Sequence, residues 1–250
     1  MGVTIEPMGC GTLAAGLDMF EAGGAADRIT IPVPSYLVRH PDGIAVIDTG
    51  MSTALSTPGS FLDLISLFFE VGLDADTLLA AQLQQRQVDP VDVDIAIVTH
   101  SHFDHSGGLD QLPNARVIIQ AAELAAARDP ELAAGSNLNS GDLDHGHDLV
   151  AVDGEHDVFG DGSVVCLPTP GHTPGHQSVR IRLDDAEVVV CGDCAYFERT
   201  LDGGPLPGAG HDLAEQARSI GRLRSLGAAG AQLIPGHDPA VFEALPARLG

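Results

Sequence analysis

The period of apolar and polar positions changes several times along this chain, and each change marks an element. Residues 32–40 read as a strand, and Pro41-Asp42-Gly43 closes a turn, proline presetting φ and glycine accepting φ > 0. Residues 44–47 form the return strand, ending at Asp48-Thr49-Gly50. Over residues 74–88, Leu78, Leu79, Leu83 and Val88 share one side while Gln82, Gln84, Gln85 and Arg86 fall elsewhere, the spacing of an amphipathic helix. An apolar strand at 95–98 runs directly into Thr99-His100. The second half repeats this grammar: strand 115–120, helix 121–128, strands 164–167, 177–183 and 188–190, helix 212–226, strand 232–234 and a closing helix over 239–249. Strands mixed with helices, several joined as hairpins, predict an α/β architecture with helices packed on the outer faces of sheets. No shift in composition marks a boundary, so residues 1–250 are expected to form one domain.

Two stretches break the pattern. Residues 129–147 are dominated by Gly, Asn, Asp and His and keep no period, as functional or disordered connections do. Phe61, Leu62, Leu64, Ile65, Leu67, Phe68 and Phe69 are apolar on every side of a helix, so one side should meet something besides its own core. A homodimer contact and a wall for an apolar substrate both satisfy that demand.

Composition then narrows the chemistry. The 12 basic residues are all arginine against 35 acidic ones, a net charge of -23. Without lysine there is no Schiff base, no pyridoxal anchor and no Walker-type phosphate loop. Phosphate backbones and anionic membranes are repelled, so neither nucleic acid nor membrane is an expected partner. No apolar run approaches the ~20 residues of a spanning helix, and residues 1–10 carry no basic-then-apolar secretory pattern. Four cysteines are too few for a disulfide framework. A soluble cytoplasmic protein is expected.

The candidate chemistry lies in the histidines. Three of 11 fall within His100-Ser101-His102-Phe103-Asp104-His105, directly after an apolar strand and before Gly107-Gly108. Imidazole is the commonest metal ligand, and a nearby carboxylate compensates charge. His172, Asp193 and His237 each stand at the exit of a later apolar strand. Seven candidate ligands suggest two cations, with Asp193 the carboxylate placed to bridge them.

These motifs, with His172, Asp193 and His237 following His105 at successive intervals of 67, 21 and 44, resemble the metallo-β-lactamase superfamily. The resemblance implies an αβ/βα sandwich with a dinuclear site at one edge of its sheets. His102-Phe103-Asp104-His105-Ser106-Gly107-Gly108 and Thr169-Pro170-Gly171-His172-Thr173-Pro174-Gly175-His176-Gln177-Ser178 are closest to the N-acyl-homoserine lactone lactonases. That likeness implies His100, His102 and His172 on one metal, Asp104, His105 and His237 on the other, and Asp193 between them. It also implies zinc as the usual metal, although nitrogen and oxygen ligands suit iron, cobalt or manganese too. Tyr196 falls where those enzymes carry a catalytic tyrosine; packing in the core is the plain alternative.

Two divalent ions and two carboxylates would leave a net charge of about +2, favouring a bridging hydroxide that attacks a lactone carbonyl. Tyr196 would donate to the oxyanion, and Asp104 would carry a proton to the leaving alkoxide. Phe103 inside the metal loop, together with Phe68 and Phe69, could touch the substrate; packing under the loop suits Phe103 equally well. Cys191 and Cys194 have redox-pair spacing but read as buried packing residues, and His145 and His147 read as part of a solvated lid. His176 reads as structural, and His40, His156 and His211 as surface residues. Glyoxalase-type thioester hydrolysis, another lactonase such as a pyridoxolactonase-like enzyme, and a non-catalytic metal-binding protein are the competing functions.

Overall fold

The computed structural model describes residues 2–25, 27–56 and 58–250, with the side chains of residues 60 and 61 outside that description. Twelve strands among these residues form two sheets. The first runs β1 (Thr4–Gly16), β2 (Arg28–His40), β3 (Gly43–Ile47), β4 (Glu70–Gly72), β5 (Ile95–Ile97), β6 (Arg116–Gln120) and β7 (Leu149–Val152), ordered in space β4-β1-β2-β3-β5-β6-β7. The second holds β8 (His156–Asp157), β9 (Val164–Pro168), β10 (Gln177–Arg182), β11 (Glu187–Val190) and β12 (Gln232–Ile234), ordered β12-β11-β10-β9-β8.

Alternation along the strands decides which side chains meet. Ile5, Val38, Ile47, Ile97 and Ile118 of the first sheet pack against Val164, Val179, Ile181, Val190 and Ile234 of the second, closing an apolar layer between them. The outer face of the first sheet is covered by α2 (Leu79–Gln85) and α3 (Ala121–Arg128) through Leu79, Leu83, Ala126 and Ala127. Ile220 and Leu223 of α6 (Leu213–Ala228) cover the second sheet over Val189 and Cys191. Helix, sheet, sheet, helix is the expected sandwich. No helix among the described residues is long and apolar enough to cross a membrane.

Several expected elements change their bounds. The helix expected over 74–88 shortens to α2 because the Asp74 carboxylate accepts from the backbone N–H groups of Asp76 and Thr77, fixing a turn instead. At its other end Gln87 takes φ 60°, outside any helix. The closing helix stops at Ala244, since Leu245 precedes a proline and is held extended, and Leu249 then pairs with Ile5. The long strand β1 was not anticipated. Its bulge between Gly9 and Thr12 interrupts the alternation that would have announced it.

The apolar stretch at 61–69 divides between α1 (Ser60–Ile65) and a turn leading into β4. Residues 129–147 are more ordered than their composition suggests. Asp129 caps α4 (Pro130–Ser136) with Pro130 in its first turn, and a 3-10 turn follows at Ser140–Leu143. His40 is not on the surface: its ring stacks 3.9 Å from Phe159, and Nε2 lies 3.1 Å from the Asp161 carboxylate. His156 is half-buried, and His211 is exposed.

Candidate metal centre

Four strand exits open at one edge of the sandwich. The parallel pairs β3–β5 and β11–β12 end there, and loops 98–106, 169–176, 191–195 and 235–237 follow β5, β9, β11 and β12. The first loop is tied to its neighbour before any cation is considered. The carbonyl of His105 accepts from the N–H and hydroxyl of Thr49, at 2.7 and 2.9 Å. Gly108 sits where a Cβ would lie 2.0 Å from the Thr49 carbonyl oxygen, so only glycine lets the chain pass.

The seven expected ligands come together. Donor atoms of His100, His102, His172 and Asp193 lie within 4.8 Å of one another, as do those of Asp104, His105 and His237. All but His102 are buried, and His102 is half-buried. The Asp193 carboxylate spans the two groups. One oxygen is 3.7 Å from His100 Nε2 and 3.4 Å from His172 Nε2; the other is 3.3 Å from His105 Nε2 and 3.0 Å from His237 Nε2.

A carbonyl or carboxylate only accepts, so His102 Nε2 donates to Ser136 O, His105 Nδ1 to Asp48 and His237 Nδ1 to Pro32 O, at 2.8, 2.8 and 2.7 Å. Thr99 donates its hydroxyl hydrogen to Asp48, which leaves its lone pair to accept from His100 Nδ1 at 3.0 Å. In its neutral form each of these four rings turns a bare nitrogen inward. His100 Nε2 faces His102 Nδ1 at 3.0 Å, and His105 Nε2 faces His237 Nε2 at 3.3 Å. Lone pairs pointed at each other and at carboxylates are repulsive unless protons or cations lie between them, and a donor set of imidazoles and carboxylates this close fits metal binding.

Burial works to lower His105 and His237, but Asp193, with Asp104, overcomes it and holds both above the ordinary imidazole value, so positive charge is favoured between these groups. Burial, then the neighbouring imidazoles, pushes His100 well below its ordinary pKa. Burial works to raise the Asp193 carboxyl, but His237 and His105 overcome it and hold the group well below the usual carboxylate range. Burial, reinforced by Asp193 and Asp104, lifts the Tyr196 phenol well above 10, so it stays protonated and can donate. Its ring stands 5.7 Å from that of His172 and 5.6 Å from that of His237, at the mouth of both groups.

Tyr196 begins a row of rings. Phe20 is 5.9 Å away, Phe69 lies 6.2 Å beyond it, and Phe103 is 6.1 Å from Phe69. Phe20 was not among the expected residues; nothing in its local pattern sets it apart. Phe68 takes no place in this row and is 59% exposed beside Leu64 and Leu67.

Asp48 stands in the sequence only as part of a turn, yet its carboxylate orients His105 directly and His100 through Thr99. Its signal was its place at the exit of β3, held at φ 54°. Glu123 was missed, being buried in a helix that read as ordinary. His176 is a buried structural residue: Nδ1 lies 2.9 Å from the Thr169 hydroxyl, and burial pushes its pKa down to about 3. His145 and His147 join no cluster of candidate ligands among the described residues. The four cysteines are buried free thiols.

A model of the metallo-beta-lactamase superfamily matches residues 29–237. The N-acyl homoserine lactonase AttM of Rhizobium johnstonii is 34% identical over 229 residues, covering 88% of this chain and 86% of that protein. The N-acyl homoserine lactonase AttM of Agrobacterium fabrum is also 34% identical, covering 87% and 85%. A solved N-acyl homoserine lactone hydrolase, with the product N-hexanoyl-L-homoserine bound at its catalytic metal center, matches with a TM-score of 0.85 over 98% of each chain. At 24% identity, that last likeness speaks for the fold.

Proposed function

This chain belongs to the metallo-beta-lactamase superfamily, and from that premise we propose that it is a metal-dependent hydrolase that opens the lactone ring of N-acyl-homoserine lactones. The observation that carries this reading is Asp193, one carboxylate oxygen turned to each ligand group beside a protonated phenol. His100, His102 and His172 would hold one divalent cation and Asp104, His105 and His237 the other, with Asp193 facing both groups. Zinc is the metal we assign, on the strength of the imidazole-rich donor set.

When bound, such cations polarise a carbonyl and make water nucleophilic near neutral pH. The chain's own residues supply the rest. Tyr196 donates a hydrogen bond to the lactone carbonyl oxygen, and the bond strengthens as negative charge develops there. Asp104 would take the proton that the attacking water releases and pass it to the ring oxygen as the C–O bond breaks. Water thus adds across one ester bond and yields an N-acyl-homoserine with a free carboxylate and hydroxyl. The net negative charge of the chain disfavours retention of that acid. Phe103, Phe69 and Phe20 form the apolar row beside Tyr196, which suits an acyl chain.

We further assign one domain working in the cytoplasm, where four free thiols would persist. The exposed Leu64, Leu67 and Phe68 support a homodimer contact. The test of function is hydrolysis of an N-acyl-homoserine lactone series, followed by acid release beside a glutathione thioester and a phosphodiester. The reading requires the lactones to be preferred; faster thioester cleavage would replace it with a glyoxalase-like one.

A further inference from the structure

Glu123 lies in the first turn of α3, fully buried, with both carboxylate oxygens engaged. Oε1 accepts from the N–H and the hydroxyl of Ser101, at 2.8 and 2.9 Å. Oε2 accepts from the hydroxyl of Thr173 and the N–H of Gly175, at 2.7 and 2.9 Å. Ser101 stands between His100 and His102, and Thr173 follows His172. One side chain therefore grips the two loops that carry all three imidazoles of the first ligand group. Gly175 makes the grip close: a Cβ there would lie 2.0 Å from the backbone nitrogen of Glu123.

The second group is anchored elsewhere. His105 is held by Asp48 and Thr49, and His237 by the Pro32 carbonyl. A carboxylate is needed at position 123 because four donors converge on it. Glutamine would present an amide N–H₂ to two of those donors and lose their bonds.

We propose that Glu123 is a positioning residue for the first cation alone, setting the spacing of His100, His102 and His172 without touching the metal. This rests on the reading that the chain holds two cations. The experiment titrates metal-free protein with Co²⁺, following visible absorption and heat of binding. Glu123→Gln is compared in two single-site backgrounds, His237→Ala, which keeps the first group, and His172→Ala, which keeps the second.

The expected result is Co²⁺ affinity weakened about 10- to 100-fold in the His237→Ala background and unchanged in the His172→Ala background. Equal weakening in both would mean that Glu123 merely supports the fold, and no weakening in either would remove it from the site; each result overturns the proposal. Should Glu123→Gln fail to fold, Thr173→Val, which removes one donor, carries the same comparison with a smaller loss expected in the same background. Unsubstituted protein that binds fewer than two equivalents would instead sink the dinuclear reading on which the proposal rests.

Discussion

Tyr196 illustrates how one side chain's environment sets its role. Burial and two nearby carboxylates keep its phenol protonated, so it serves as a donor and not as a base. Tyr196→Phe should lower kcat by about 10²-fold while metal content stays unchanged, the cost of one oxyanion donor. Steady-state kinetics beside metal analysis check this, and unaltered kcat would return the residue to a packing role. At this scale the sequence was most informative where chemistry is local. His100, His102, Asp104 and His105 announce themselves within six residues, and His172, Asp193 and His237 by standing at strand exits. Glu123 and Phe20 stayed hidden because their partners lie far along the chain, Thr173 fifty residues from Glu123 and Phe69 on a separate segment.

Among the elements, the segment from α1 to β4 combines two surfaces. Phe69 turns toward Phe20 and Phe103, whereas Phe68 faces solvent with Leu67, which is 74% exposed. Phe69→Asp should therefore raise KM for a decanoyl substrate about tenfold more than for a hexanoyl one, the scale of losing one apolar contact surface. Phe68→Asp should leave that ratio alone and shift the oligomeric state seen by light scattering. The converse pattern would exchange their roles. Strands were legible from period alone where they are short and buried, and α3 and β12 match their expected bounds. Helix ends were less legible: the Asp74 turn and Leu245 before Pro246 override apolar spacing with local backbone constraints. The 129–147 segment hid α4 behind its polar composition, although Asp129-Pro130 is a helix start signal. The Ser136 carbonyl at the end of α4 accepts from the outer nitrogen of His102.

For the whole molecule, stability should depend on pH through the same segment. Burial lifts the Asp142 carboxyl from 3.8 to about 7, against hydrogen bonds from Ser106 and Asn139. Between those values the folded state keeps a proton that the unfolded state has lost, so stability falls as pH rises through this window and levels off above it. The change between pH 5 and pH 7 is about 2 kcal/mol from this group alone. Asp142→Asn should flatten that part of a denaturation-versus-pH profile of the metal-free protein; an unchanged slope would assign the dependence to other groups.

The sandwich brings four strand exits to one edge, where imidazole nitrogens and two carboxylates face one another, and the proposed chemistry depends on cations binding there. Elemental analysis of freshly purified, active protein, repeated as a chelator removes its metal, measures that directly. Two divalent equivalents per chain, with hydrolysis lost on their removal and restored on their return, is the predicted result. Full activity in protein stripped of metal would contradict it.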